Sequence, residues 1–333
     1  MTSRTSQMHH FLAQSGCDLT TVKMVAGDAS HRKYFRVAHN GRSTILMDSD
    51  PSKGDTISPF LKVAAILRAA GLTPPEIYQQ DIPQGFLLLE DLGDGLLARI
   101  LKRDPSQEVA LYEAATDVLV HLHQAKTPDL DTYNSHRSAP LAMLAWEWYA
   151  PQFFKLDTSA NMTGYHFLQK LLDPLDADLS VLIHRDYHAE NLLWLPERSS
   201  LKKVGLLDFQ DAMLGHPAYD LVSILQDARR DVTTGTQTQM LTRFIKASSS
   251  DPAKFTEAYH ILGLQRNLRI LGGFARLRIR DAKTSYVDLI PRVWAYILTN
   301  LEALERSDLT KFITGTLPMP TPERLASLKV LSK

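Results

Sequence analysis

The chain has 333 residues, 44% apolar and 22% charged, close to the globular average, which excludes intrinsic disorder. Lys plus Arg and Asp plus Glu number 37 each, and this formal neutrality argues against a general nucleic-acid binder, which carries a clear basic excess. A lone cysteine, Cys17, can form no internal disulfide and points to a reducing cytoplasm, and no apolar run of about 18 residues predicts a membrane span.

The N-terminal stretch has no continuous apolar segment between a basic start and a small-residue cleavage site, so no signal peptide is predicted. Residues 33–38 and 43–48 read as short strands around Asn40-Gly41, a pair that tolerates positive φ at both turn positions. Residues 57–70 show helical spacing through Phe60, Val63, Ala64 and Leu67, and Gly71 stands where a C-terminal cap belongs. The run Phe86 to Leu89 is continuously apolar, as expected of a strand buried on both faces. After Gly95 the pattern turns helical. A long amphipathic helix is predicted over 106–125, with Ser106 as its N-cap and Val109, Tyr112, Leu119 and Leu122 on one side. Further helices are predicted over 139–154 and 163–172, then an island of short strands over 181–208, then helices from 217 onwards. The expectation is a β-rich N-terminal lobe followed by a helical lobe that contains one small strand cluster.

Polar residues with useful chemistry concentrate in that cluster, in IHRDYHAENLLWL and then VGLLDFQD. Phosphoryl transfer from a nucleotide depends mainly on positioning and charge neutralisation. It needs a carboxylate to orient or deprotonate the acceptor hydroxyl, and Asp186 suits that role. It also needs hard oxygen ligands for Mg²⁺, and Asn191 and Asp208 suit that one. Two plainer readings compete. Asp-x-x-x-x-Asn is a common turn and cap pattern, although this leaves the second Asp at the end of the next strand unexplained. His184-x-Asp186-x-His188 is also a metal-cluster pattern, but no convincing further ligands follow downstream.

HRDYHAEN followed by LLDFQD resembles the aminoglycoside phosphotransferase and choline kinase family, relatives of the protein kinases. GDASHRKYFRV, LLLEDLG, LLDFQDAMLGHPAYDLVSILQDARRDV and QRNLRILGGFARL extend the resemblance over residues 27–280, closest to bacterial anomeric kinases of N-acetylmuramate and N-acetylglucosamine. The resemblance implies an α+β, protein-kinase-like fold of two lobes. Residues 1–93 would form a nucleotide-binding lobe ending in a hinge, and 94–333 a helical catalytic and substrate lobe, with ATP and Mg²⁺ in the cleft between them. It implies Asp186 as catalytic base, Asn191 and Asp208 as metal ligands, backbone groups near Glu90 and Leu92 at adenine, and Asp220 as a buttress of the catalytic loop. Ser30 falls in the phosphate-covering segment. The implied function is phosphorylation of a small cytoplasmic amino sugar in cell-wall recycling, with no nucleic acid, membrane or obligate protein partner. Aminoglycoside, choline or ketosamine kinases, and an inactive nucleotide-binding homologue, are the alternatives.

One position departs from the kinase pattern. Met47 stands where kinase relatives carry the third-strand lysine that holds phosphates, and Arg32, Lys33 and Arg36 are candidate substitutes, Arg32 first. On the acceptor side, Arg266, Arg269, Arg276 and Arg280 would form a basic stripe within about 80° of arc on a helix. Such a stripe repels polycationic aminoglycosides and suits the carboxylate of N-acetylmuramate. Arg266, Asn267 and Trp148 are the expected acceptor contacts, and Gly272-Gly273 is a point where the helix could break.

Overall fold

Asn40 and Gly41 both adopt positive φ (49° and 72°), so the chain reverses tightly and the two flanking strands pair in register, Lys33 with Asp48 through His39 with Arg42. The computed structural model describes residues 3–26, 32–54, 56–155 and 158–330. In chain order its elements are α1 (Arg4–Gln14), β1 (Cys17–Ala26), β2 (Lys33–His39), β3 (Arg42–Asp48), α2 (Ser58–Ala69), β4 (Ile77–Asp81), β5 (Phe86–Glu90), α3 (Leu97–Arg103), α4 (Glu108–Gln124), α5 (Ser135–Ala142), α6 (Thr158–Leu172), β6 (Val181–Ile183), β7 (Leu192–Trp194), β8 (Val204–Leu206), β9 (Met213–Gly215), α7 (Ala218–Leu225), α8 (Thr234–Ser248), α9 (Pro252–Asp281), α10 (Ile290–Leu304), α11 (Ser307–Thr316) and α12 (Pro322–Val330). None of the described helices is long and apolar enough to cross a membrane.

The chain divides into two compact units, 1–105 with 190–211, and 106–189 with 212–333. The first is a five-stranded sheet in the order β1-β2-β3-β5-β4. Helix α1 covers one face, where Met8, Phe11 and Leu12 pack on Val37, Leu46, Phe86 and Leu88. The sequence pattern left α1 unassigned. Helix α2 forms as its spacing predicts, with Phe60, Val63, Ala64 and Leu67 buried. Gly71, at φ 77°, ends it: its amide bonds Arg68 O at 2.9 Å and the Leu72 amide bonds Leu67 O at 3.0 Å.

The strand island is two ribbons rather than one cluster. Ribbon β7–β8 joins the first unit because its backbone finds partners there. Leu206 donates to Thr73 O (2.9 Å) and Trp194 to Gly95 O (2.7 Å). Ribbon β6–β9 belongs to the second unit, where Tyr133 N–H donates to Leu214 O at 2.7 Å. The segment from His184 to Asn191, continuous in sequence, therefore passes from one unit to the other between residues 189 and 190.

The second unit is helical, with α9, thirty residues long, as its spine. Helix α4 begins at Glu108, and a 3₁₀ turn, Pro105–Gln107, carries the chain into it, so Ser106 is not its N-cap. Val109 is 40% exposed and the buried stripe runs instead through Leu111, Tyr112, Ala115, Val118, Leu119 and Leu122. The helix expected over 139–154 breaks into α5, a π-helical turn over Ala145–Tyr149 and a 3₁₀ turn. Trp146 donates to Thr316 Oγ1 (2.9 Å) and Tyr149 to Pro318 O (2.8 Å), which ties the C-terminal segment onto the helical unit.

Helix α9 runs through Gly272-Gly273 without a break. A Cβ at Gly272 would lie 2.0 Å from the Leu144 carbonyl carbon, so only glycine lets the helix approach that backbone, whereas a Cβ at Gly273 meets nothing within 4 Å. The two adjacent glycines should therefore respond with opposite sign. In urea unfolding, Gly272→Ala is expected to destabilise by about 1–3 kcal/mol through overpacking. Gly273→Ala is expected to stabilise by about 0.5–1 kcal/mol through helix propensity.

Candidate active site

Strand β6 is wholly buried and delivers the chain to His184 and Arg185. Arg185 sits at φ 74°, a conformation that costs a non-glycine residue about 1–3 kcal/mol and survives only where the surroundings impose it. The carboxylate of Asp220, on α7 and fully buried, does so by accepting the backbone N–H of His184 (2.5 Å) and of Arg185 (2.9 Å). Burial pushes Asp220 up to about 7, and the two N–H donors oppose the rise. Asp186 follows at the tip of this turn, with its side chain 35% exposed.

Burial alone would raise the Asp186 carboxyl, but the charges of Arg269 and Arg266 outweigh it and hold the group below the usual carboxylate range. Arg269 Nη2 lies 3.6 Å from Asp186 Oδ1. His188, buried beside Arg229 and Arg266, is kept neutral by burial and by those charges. The sequence pattern counts Arg269 in a stripe without singling it out, and places His188 only in the competing metal-cluster pattern. The i, i+3 spacing from Arg266 was the signal that could have promoted Arg269.

The expected acceptor contacts sort differently. Arg266 is only 3% exposed, so its charge acts on Asp186 from within the helical core, whereas Arg269 one turn on retains 19% side-chain exposure. Asn267 is fully buried; its Nδ2 donates to Gln226 Oε1 and to Gly263 O, both at 2.8 Å. With Asn300 on the same Gln226, it forms an amide network that joins α10 to α9 and the end of α7. Helix packing claims Asn267, which removes it from the acceptor set. Trp148 is half-buried on the π-helical turn, its carbonyl accepting from Gln152 at 3.2 Å. Of the other two stripe members, Arg276 is half-buried and Arg280 is exposed and pairs with Asp281; Arg278, which is not in the stripe, donates to Lys329 O.

In the first unit, Asn191 and Asp208 lie at one end of the β7–β8 ribbon, and Asn191 O accepts the amide of Leu207 at 3.0 Å. Asp208 is exposed, at φ 58°, and accepts Gln210 Nε2 at 2.9 Å. Phe209 turns the other way and packs on Phe60 of α2, ring centroids 4.7 Å apart. One amide and one carboxylate oxygen donor, anchored on one ribbon, fit Mg²⁺, which takes few protein ligands and keeps places for phosphate oxygens and water. Among the described residues, no cluster of three or more His, Cys, Asp or Glu side chains could hold a metal by itself.

Beyond β5 the expected hinge is braced by ion pairs. Arg198 holds Glu90 Oε1 at 2.5 Å, and the Glu90 amide is committed to Glu76 O at 2.7 Å. Asp91 accepts Arg36 Nη2 (3.1 Å) and Ser43 Oγ (2.5 Å), and pairs in charge with Arg36, whose Nε lies 2.7 Å from Oδ2. Burial would raise Asp91, but these donors and the Gly93 amide hold it below its ordinary value. Leu92 is 9% exposed. Met47 is fully buried, and the strand register puts Arg36 on its face, opposite Ile45, but Arg36 is bound to Asp91 and Asp94. Lys33 is exposed and pairs on the opposite face, with Asp48. Arg32, 9% exposed, continues the alternation of Tyr34 and Arg36. Ser30 lies outside the described residues.

A family profile described as phosphotransferase enzyme family matches residues 21–258. The chain belongs to that family. It is an ATP-dependent small-molecule kinase of the family, with the protein-kinase-like fold. Its relatives include the N-acetylmuramate/N-acetylglucosamine kinase of Caulobacter vibrioides, 36% identical over 86% of this chain and 89% of the relative. The enzyme of the same name from Pseudomonas aeruginosa is 30% identical over 87% of each chain. Among solved structures, the choline kinase of Streptococcus pneumoniae superposes with TM-score 0.60 at 12% identity, covering 90% of this chain and 98% of that one. The ADP-bound aminoglycoside phosphotransferase APH(2'')-Ib does so with TM-score 0.59 at 14% identity, covering 90% and 98%. These last two likenesses are of fold.

Asp220 predicts a pH signature. With its folded pKa raised to about 7, above the unfolded carboxylate value near 4, its stabilisation is complete below about pH 4 and is lost as pH rises through 7. In urea unfolding between pH 5 and 8, wild type should lose stability with rising pH relative to Asp220→Asn. The variant itself should be less stable at pH 5 by about 1–3 kcal/mol, because an amide nitrogen then faces a backbone donor.

Proposed function

We propose that this kinase transfers the γ-phosphate of ATP to a hydroxyl of a small cytoplasmic amino sugar of the N-acetylmuramate/N-acetylglucosamine type, in cell-wall recycling. The observation that carries the reading is Asp186, held at the tip of the Asp220-braced turn under two arginines, in a chain whose near-full-length relatives bear that sugar-kinase name. Asp186 receives the acceptor hydroxyl and takes its proton as the phosphoryl group departs. A loose phosphoryl transition state asks little basicity of it, which suits a carboxylate kept ionised by arginine.

Residues 1–93 form the nucleotide-binding lobe and 94–333 the catalytic and substrate lobe in this reading. The carbonyl of Glu90 and the amide of Leu92 receive adenine. Arg32 replaces the lysine absent at Met47, since Arg36 is held by acids and Lys33 lies on the other face. Asn191 and Asp208 hold Mg²⁺, which when bound neutralises charge on the phosphate oxygens. Arginines rather than acids beside Asp186 disfavour a polycationic aminoglycoside as acceptor. Trp148 is kept as a candidate platform for the sugar ring.

A phosphoryl-transfer assay offering N-acetylmuramate, N-acetylglucosamine and kanamycin tests the acceptor. Turnover of the two sugars is expected, and preference for kanamycin would overturn the assignment. Asp186→Asn should lower kcat by about 10²- to 10⁴-fold while ATP binding persists. Arg32→Ala should raise the KM for ATP by about 10- to 100-fold, with Lys33→Ala unchanged. An unaffected Arg32 variant removes that role.

A further inference from the structure

Arg269 is held at both arms of its guanidinium. Nη2 lies 3.6 Å from Asp186 Oδ1, and Nη1 donates to the Tyr219 hydroxyl at 3.4 Å. Tyr219 is 1% exposed, and its ring meets Tyr133 edge to face, centroids 5.1 Å apart at 71°. Arg185 lies over the outer partner of that pair, 5.2 Å from the Tyr133 centroid. Burial keeps the Tyr219 hydroxyl protonated, so its oxygen is a fixed neutral acceptor. Tyr219 is also the neighbour of Asp220 on α7. One turn of α7 thus grips the catalytic loop twice, at the backbone of His184 and Arg185 through Asp220 and at the Asp186 side chain through Tyr219 and Arg269.

We infer that Arg269, braced by Tyr219, is a positioning residue that orients the Asp186 carboxylate toward the acceptor hydroxyl and does not itself bind the acceptor. The Asp186 carboxylate has two equivalent oxygens and two side-chain torsions to aim them. With Oδ1 drawn to a guanidinium fixed on an aromatic pair, Oδ2 is presented to the hydroxyl in one orientation. Arg266, an i, i+3 neighbour on α9, is too buried to share the contact but adds its charge behind it.

The inference rests on the amino-sugar reading, and the test keeps the two separable. Steady-state kinetics of the full-length protein with MgATP would compare N-acetylmuramate, which carries a carboxylate, with N-acetylglucosamine, which does not. Wild type, Arg269→Gln, Arg269→Lys and Tyr219→Phe would be used, each checked for a native thermal transition. Misaiming a catalytic group by about 1 Å costs on the order of 10²-fold. Arg269→Gln should therefore lower kcat by about 10- to 10²-fold for both sugars by the same factor, leaving the KM for sugar and ATP within about 3-fold. Tyr219→Phe, which loosens Arg269 without removing its charge or its bond to Tyr133, should lower kcat for both by a smaller common factor, and Arg269→Lys should recover part of the loss. A rise in KM confined to N-acetylmuramate would make Arg269 an acceptor ligand and overturn the inference, as would unchanged kcat in Arg269→Gln. If wild type phosphorylates neither sugar, the acceptor reading fails. The inference is then decided on intrinsic ATP hydrolysis, where Arg269→Gln should still lower kcat.

Discussion

The carboxylate of Asp220, buried without exposure and accepting the backbone amides of His184 and Arg185, is the constraint on which the turn carrying Asp186 depends. A carboxylate in that position is costly to desolvate, and it persists because both amides point at it. The same two bonds hold Arg185 in the left-handed region, and that backbone turn is what brings Asp186 out of the buried β6 strand. Helix α7, which presents Asp220, packs on α9. Helix α9 in turn lies close to its neighbours where Gly263 faces Asn300 and Gly272 faces the Leu144 backbone. Remote glycines and the buried Asn267–Gln226–Asn300 network thus support a loop they never touch.

Electrostatics follow a similar economy. A chain of zero formal charge is locally uneven: residues 76–94 carry five acids and no base, while 261–280 carry five arginines and no acid. Folding resolves the first excess by pairing Glu90 with Arg198 and Asp91 and Asp94 with Arg36. It resolves the second unevenly: Arg269 and Arg266 lend their charge to Asp186, Arg278 binds a helix carbonyl and Arg280 a surface carboxylate. Asp186 consequently sits in a positive field that keeps it ionised, a state suited to receiving a hydroxyl rather than to strong proton abstraction.

Much of this was legible in the residues. The Asn40-Gly41 hairpin, α2 with its Gly71 stop, and the apolar β5 strand follow from local steric preferences and period, which neighbours did not override. The H-x-D-x-x-x-x-N and Asp208 pattern was readable because the spacing of a strand–turn–strand segment is a local property. The errors have a common source. Val109 and the four-arginine stripe follow from one helix's own periodicity, Ser106 from capping preference and Asn267 from the family resemblance, and none of these shows what stands against the residue. A 3₁₀ turn took the helix start at Ser106, and Gln226 at the end of α7 claimed Asn267.

The sequence by itself determined the kind of chemistry, because carboxylate, amide and histidine types at those spacings are covalent facts of the chain, and it determined the local elements whose patterning was strong. Only the tertiary structure decided which like residues do unlike work. Arg266 and Arg269 share a helix face and a charge, yet burial separates them, and Tyr219 gives one of them a fixed place beside Asp186. The strand island likewise looked single until backbone hydrogen bonds to Thr73 and Gly95 drew β7–β8 into the first unit and one to Tyr133 held β6–β9 in the second. Long-range pairing is set by partners tens of residues away, so no local pattern carries it.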